Sequence, residues 1–499
     1  MRRYLLSILL LVCPALARAD TGTPRPLSPD ATRSVGLERM WFTQLSLDRG
    51  RGRIAGIFMH VSGIQAHTVF QITHDGKRYV FSQRDRDAFG KEIGVEGAKK
   101  QAEDKAQEIK KAHENTGKAD AEAPAIETFV VPKITLYATS ERGGVHALDG
   151  ETGRTIWTTS VGNPLYPTTP PAANDKFVGM CNGSTIYAIR ADDGSVVWTR
   201  PAVGSPGAGP ALTEEYMFVP MVSGQVETLL LEEPNRPMGI YKSFGRTMVQ
   251  PVVSSNSVAW PTEDGNLYVG LAHTPGLRFR MKAADAIESA PAFLSPDKIC
   301  ATSADGYIYC LGEQKGNIIW RFTTGEPINH SPIALGNTVF AISERGAMYA
   351  IDVETVAERW VATGIRSYLA GNEKRLYCLD TRGYLAILDT ATGSRLGGIP
   401  AVPCDVPVLN AQTDRILLVS STGLVQCLRE TNLPWPVVHY KIEPPQKTAK
   451  TQPKTGPKTD DKSQPPADTD PFGSPSGKTT SPPPAAGPDP FAEPASAKP

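Results

Sequence analysis

The chain has 499 residues, with 52 basic and 52 acidic side chains and a formal net charge of zero. That balance carries no electrostatic footprint for nucleic acid or an anionic surface. The one local exception, Arg49-Gly-Arg51-Gly-Arg53, reads as a solvated turn.

In chain order, residues 1–19 have the pattern of a secretory signal. Arg2 and Arg3 supply the positive start, Leu5 to Ala15 the apolar stretch, and Ala17-Arg18-Ala19 the small-residue cleavage site. Cleavage is expected after Ala19, with export to a periplasmic or extracellular compartment. The apolar run is too short to span a bilayer, and no other segment qualifies. Val12 stands before Cys13 where a bacterial lipoprotein signal wants a small residue, which argues against lipidation.

Residues 20–36 read as a linker, and residues 37–130 as N-terminal strands with a charged helical insertion at about 90–116. Met40–Leu47 reads as a strand, and His67–Thr73 with Arg78–Ser82 reads as a hairpin around Asp75-Gly76. Ala98, Ala102, Ala106, Ile109 and Ala112 fall near helical spacing, a narrow stripe that predicts a mostly solvated helix lying on the next domain.

Residues 131–440 repeat. Anchor glycines at 144, 183, 224, 265, 306, 346, 383 and 423 give gaps of 39, 41, 41, 41, 40, 37 and 40. Each copy has two alternating runs around an X-Gly turn, such as Lys298–Ser303 and Tyr307–Leu311, because glycine accepts the positive φ of a tight turn. A third run ends in Trp157, Trp198, Trp320 or Trp360, and a fourth begins near a proline, as at Pro251, Pro291, Pro332 and Pro407. Four short antiparallel strands cannot bury both faces alone. Stacking them radially solves this, so the fold class is all-β: an eight-bladed β-propeller of four-stranded antiparallel blades. Seven blades remain open if the eighth copy only extends its neighbour. The eighth copy fades after Arg429. A strand from 37–47 is expected to pair with it, closing the ring and removing an exposed edge.

The fullest copy reads Ala147, Asp149, Thr152, Gly153 and Trp157, with Ala188, Gly194 and Trp198 in the second. Gly316 and Trp320 mark the fifth, and Asp352 and Trp360 the sixth, where Val356 replaces the glycine. This pattern resembles the tryptophan-docking motif of the pyrroloquinoline-quinone (PQQ) repeat family, over Ile134 to Glu430. The resemblance is nearer to the non-catalytic propellers of the outer-membrane barrel-assembly scaffold lipoprotein than to the quinoprotein dehydrogenases. Blades three, four and eight lack the docking tryptophan.

A quinoprotein would imply PQQ clamped by adjacent cysteines, a calcium ion and an Asp base. The six mature cysteines are scattered, the inter-blade gaps stay near forty, and Asp149 and Asp352 read as turn caps. No catalytic residue, metal ligand or cofactor is therefore assigned; PQQ and calcium belong to the alternative reading only. Cys300 and Cys310 flank one turn and face each other across the hairpin, a possible but geometrically disfavoured disulfide. His60, His67 and His74 recur every seven residues, a spacing that does not converge on a metal in strands. Asn182 and Asn329 begin sequons.

Residues 441–499 are rich in Pro, Lys, Thr and Ser and are expected to be disordered; they repeat Asp-Pro-Phe at Asp470 and Asp489. The expected function is a non-enzymatic exported scaffold with protein partners in the cell envelope, working as a monomer. A dehydrogenase-like propeller and a ligand sensor using the axial channel are the alternatives.

Overall fold

The computed structural model describes residues 24–47, 52–115, 124–236, 238–274, 276–294, 297–401 and 404–439. The signal sequence, most of the basic turn, and the Pro-rich tail with both Asp-Pro-Phe triplets lie outside the described residues.

The described residues form eight antiparallel sheets, matching the eight glycine-anchored repeats one to one. Blade five is typical: Ala292–Leu294, Lys298–Thr302, Tyr307–Gly312 and Ile318–Thr323, from innermost to outermost. Second strands such as Tyr216–Pro220, Ser257–Pro261 and Thr338–Ile342 are buried at every position. A strand covered by neighbouring blades on both faces has no solvent side, so it reads as a continuous apolar run. Outermost strands such as Thr155–Ser160 keep only the tryptophan position buried.

The motif residues explain each other physically. Trp157, Trp198, Trp320 and Trp360 sit opposite Ala147, Ala188, Cys310 and Ala350 in the adjacent strand, where a small side chain leaves room for the indole. A bulge next to each pair re-aims the outer strand. The indoles then reach the next blade: Nε1 of Trp157 donates to Ala191 O at 2.8 Å, Trp198 to Leu231 O at 2.7 Å, Trp320 to Val353 O at 3.0 Å and Trp360 to Thr390 O at 3.0 Å. Asp149 Oδ1 caps its turn by accepting from Thr152 N and Thr152 Oγ1 at 2.8 and 2.7 Å, and Asp352 Oδ1 accepts from Thr355 N at 2.9 Å. In blade two the turn glycine is bare because the preceding blade's indole lies on it: a Cβ on Gly194 would come within 2.5 Å of Trp157. Val356, in the equivalent turn of blade six, takes the same left-handed conformation (φ 59°), which costs a branched residue about 1–2 kcal/mol.

Of the blades without tryptophan, seven has Gly398 at the docking position and no aromatic in its outer strand, whereas three, four and eight use other rings. Phe279 of blade four lies over Gly316 of blade five, and Tyr241 of blade three accepts a hydrogen bond from Gly276 N at 2.8 Å. For blade eight the aromatic comes from the other end of the chain. Leu37–Gln44 is its outermost strand, paired antiparallel with Leu424–Glu430 from Leu37 opposite Glu430 to Gln44 opposite Leu424. Trp41 in that strand lies over Gly153, and its Nε1 donates to Gly150 O at 2.9 Å. The same seam holds Arg415, fully buried, 3.2 Å from Glu151 of blade one and 3.3 Å from Asp414.

Two expectations need correction. Residues 24–36 are docked rather than a free linker: helix Pro29–Arg33 is capped by Ser28, Leu27 N donates to Gln426 Oε1 at 3.0 Å, and Leu27 and Val35 pack on blades seven and eight. The insertion is not an appendage beginning and ending beside the propeller. Strands Ile54–His74 and Ile126–Ser140 run unbroken from blade one into it, across the expected boundary at 131. There they pair with Lys77–Ser82 to make a small sheet. Helix Gly94–Asn115 lies on this sheet, not on the ring. Its Ala98, Ala102, Ala106 and Ile109 are buried against Phe70 and Ile72 instead of being solvated, because small alanines let helix and sheet approach closely.

Replacing Trp41 by Ala is expected to lower unfolding free energy by about 3–5 kcal/mol, as for other buried aromatics; an unchanged denaturant midpoint would contradict its role in closure. Asp414 supplies a pH test. Burial raises its carboxyl from 3.8 to about 6, and its Oδ2 has no hydrogen-bond partner among the described residues. The folded protein therefore keeps a proton that the unfolded chain releases near pH 3.8. This stabilisation is complete below that pH and is lost as pH rises through about 6. Relative to Asp414→Asn, the wild type should lose up to roughly 3 kcal/mol between pH 4 and 7. Parallel stability profiles for the two proteins would refute this.

Candidate functional site

The turns joining first to second and third to fourth strands all open on one face of the ring. There the turns of blades one to four and eight line the channel mouth, a cavity of about 1070 Å³ reaching from Phe58 and His60 of blade one to Gln412 of blade eight. Its rim carries Asp175, Glu214, Glu215, Glu232 and Glu233 against Lys176 and Arg236, so carboxylates outnumber cations. Lys176 reaches Glu232 at 3.3 Å and Arg236 reaches Glu233 at 3.8 Å. His60 Nε2 lies 2.8 Å from Asp175 Oδ1, and this bond holds the Asp175 carboxyl below its ordinary value.

The insertion rises from this same face, because residues 63–133 take the place of the first-to-second turn of blade one. The last described segment also crosses it. Asp414 N donates to Val437 O at 3.2 Å, His439 N to Gln412 O at 3.0 Å, and Trp435 Nε1 to Gln71 Oε1 in the insertion at 3.0 Å. Trp435 thus fastens the segment after blade eight to the foot of the insertion.

The opposite face carries the connections from each blade to the next, and its chemistry is different. Leu165 and Tyr166 between blades one and two, Val203 between two and three, and Phe244 and Met248 between three and four are exposed, Leu165 at 85% and Phe244 at 70%. Their backbones are nonetheless pinned. Asn182, buried, accepts from Asn163 N at 2.8 Å and donates to Tyr166 O at 3.1 Å. Phe244 N donates to Tyr268 Oη at 2.8 Å, and Asn266 Nδ2 donates to Phe244 O at 3.2 Å. A large apolar side chain held out on a fixed backbone presents contact area with little ordering cost.

The candidate residues read from sequence divide as follows. Ala147, Asp149, Thr152, Gly153, Trp157, Ala188, Gly194, Trp198, Gly316, Trp320, Asp352 and Trp360 all lie at blade interfaces or in third-to-fourth turns on the face of the mouth, and none of them lines the cavity or stands among the apolar connections. Cys300 and Cys310 are directly opposite each other in the blade-five hairpin but are free, buried thiols within the interface to blade six. Opposed positions on paired strands rarely allow the disulfide torsion. His60, His67 and His74 stay apart; His74 instead meets His113 from the helix. Asn182 of the first sequon is buried with its amide engaged, which leaves no room for a glycan. Asn182, Phe244 and the mouth carboxylates were missed as functional residues. Asn182-Gly183 in a strand-ending turn and the run Glu232-Glu233 were the available signals.

A family model described as outer membrane protein assembly factor BamB matches residues 107–233 and 246–401, more than half of the chain. Among curated proteins, the outer membrane protein assembly factor BamB of Shewanella oneidensis is 23% identical over 273 residues, covering 53% of this chain and 60% of the relative. That of Yersinia pestis is 20% identical over 281 residues, covering 50% and 62%. The chain thus spans about three fifths of the length of the curated relatives it matches. Among solved structures, BamB from Moraxella catarrhalis superposes with a TM-score of 0.51 at 17% identity, covering 60% of this chain and 92% of that one. The computationally designed Ika8 protein gives 0.51 at 15% identity, covering 61% and 93%. At such identities the likeness is one of fold.

Proposed function

The chain belongs to the family of the outer membrane protein assembly factor BamB, and from that premise we propose that it is an exported, non-enzymatic β-propeller that holds another polypeptide in the cell envelope. The observation that carries this reading is the set of exposed apolar side chains on three consecutive inter-blade connections, led by Leu165 and Phe244, whose backbones are pinned by buried polar groups. Solvent gains nothing from such rigid apolar display, whereas a docking chain buries it without paying for loop ordering. The signal pattern at residues 1–19 supports export, with cleavage after Ala19 and a periplasmic place of work. The relatives are outer membrane protein assembly factors by name, and we take the partner here to be a protein of that assembly process, engaged by a single copy of this chain.

A quinone cofactor suits the channel mouth poorly. PQQ is a tricarboxylate, and the rim offers five carboxylates against one lysine and one arginine, both already facing glutamates. Like charges at such a mouth repel the ligand before any metal could bridge it. Purified protein mixed with PQQ and calcium is therefore expected to reduce no redox dye with alcohols or sugars; turnover would overturn the non-enzymatic reading.

The docking face is tested by Leu165→Asp combined with Phe244→Asp in the full chain. Both positions are exposed, so the thermal midpoint should hold within about the small range of surface changes. Capture of the partner from an envelope fraction should fall by more than about tenfold, the size of a lost apolar anchor. Undiminished capture at an unchanged midpoint would remove these connections from the function.

A further inference from the structure

The insertion contains a second arrangement that the scaffold reading does not use. His74 ends the strand Ile54–His74, Asp75 occupies the following turn with φ 46°, and His113 lies in the last turn of helix Gly94–Asn115. Folding brings together two imidazoles separated by 39 residues: their Nε2 atoms are 2.9 Å apart, with the ring centroids 4.7 Å apart. His74 Nε2 is 3.2 Å from Asp75 Oδ2, and the three donor atoms all lie within 4.8 Å of one another.

We propose that His74, Asp75 and His113 bind a borderline divalent transition metal of the zinc class. Two ligands about 2.1 Å from one ion, at roughly 90–110° to each other, are about 3.0–3.4 Å apart, close to the 2.9 Å between the imidazoles and the 3.2 Å from His74 to Asp75. Two imidazole nitrogens and one carboxylate oxygen suit zinc, cobalt or nickel. Calcium and magnesium prefer oxygen donors throughout, so this donor set disfavours them. The position adds to the chemistry, because the C-terminal end of a helix carries partial negative charge that favours a cation. Asp75 is exposed while the histidines are half-buried, so the site is open on one side to water or a further ligand. A bound ion fastens the end of the helix to the tip of the hairpin, past the alanine stripe that holds the helix body on the sheet.

The test uses the full mature chain purified without a polyhistidine tag, with zinc and cobalt as the probes. Equilibrium dialysis followed by elemental analysis should give one ion per chain, and cobalt should show the visible absorption of a low-coordinate nitrogen–oxygen site that zinc bleaches. His74→Gln and His113→Gln should each weaken binding by at least about tenfold, the lower end expected when a metal's protein surroundings are altered. His273→Gln, at the channel mouth, should bind as the wild type does, and circular dichroism of the metal-free variants should match the wild type. Equal binding by the wild type and a His74→Gln/His113→Gln double variant would overturn the proposal, as would wild-type protein that takes up no cobalt.

Discussion

An aromatic ring from one blade laid on a bare turn of the next is the contact on which this molecule depends. It does two things at once. The ring buries apolar area that a lone four-stranded sheet would expose, and in the tryptophan blades its indole nitrogen satisfies a carbonyl at the turn that would otherwise lack a partner. The contact is directional, running from the outer strand of one blade to the turn of the next, and only blade seven, with Gly398 opposite Ala386, gives no ring; an open row of blades leaves its first turn and its last outer strand without partners. Only closure pairs them. Trp41 over Gly153 is that last contact, and its arrival from the opposite end of the chain makes the ring a single cooperative object rather than a row of separable repeats.

Closure has consequences for where function can reside. The second strands are buried on both faces and the interfaces are packed, so the inner parts of the blades are closed to a partner, while outer strands still expose side chains such as Ile156, Ile318 and Leu396. What remains is this outer edge, the two rims and the one place where the ring is interrupted. The insertion is not hung on a hinge: its two long strands are the first and second strands of blade one, paired with each other apart from register shifts near Gly56 and between Ser62 and His67. Trp435 braces it from the other side. An element built that way holds its orientation over the channel mouth as firmly as the blade it grows from.

The steady glycine spacing made the propeller legible, because each repeat must place a positive-φ turn and a buried aromatic at the same points of the same sheet. Period and chemistry there report one physical requirement. The reading failed where a contact was satisfied by different residues or from a distance. Phe279 fills a tryptophan position, and Tyr241, two residues beyond its own, reaches the next turn, neither matching the motif. The alanine stripe of the helix is narrow in hydrophobicity yet wide enough for a core, because close helix–sheet approach wants small side chains. The acidic mouth is assembled from turns of blades two and three that lie far apart in sequence, and His113 meets His74 only through the fold of the insertion. Spacing along a chain reports local periodicity and is silent on such convergence.

The same cooperativity explains why the ring carries local features that would be unfavourable in isolation. Val356 sits in a left-handed turn that its branched side chain resists, yet it lies in a blade interface where Trp320 and Val353 hold the turn from outside. Asp414 and Arg415 are buried as charged or chargeable groups at the closing seam, where desolvation alone would expel them. Neither can relax without opening a neighbouring interface, and opening one interface exposes the rest. A closed ring therefore spreads the cost of a poor local choice over all of its blades. That is the physical reason a repeat so degenerate in its third, fourth and eighth copies still folds as eight blades, and why its rims are free to carry acidic groups on one face and apolar groups on the other.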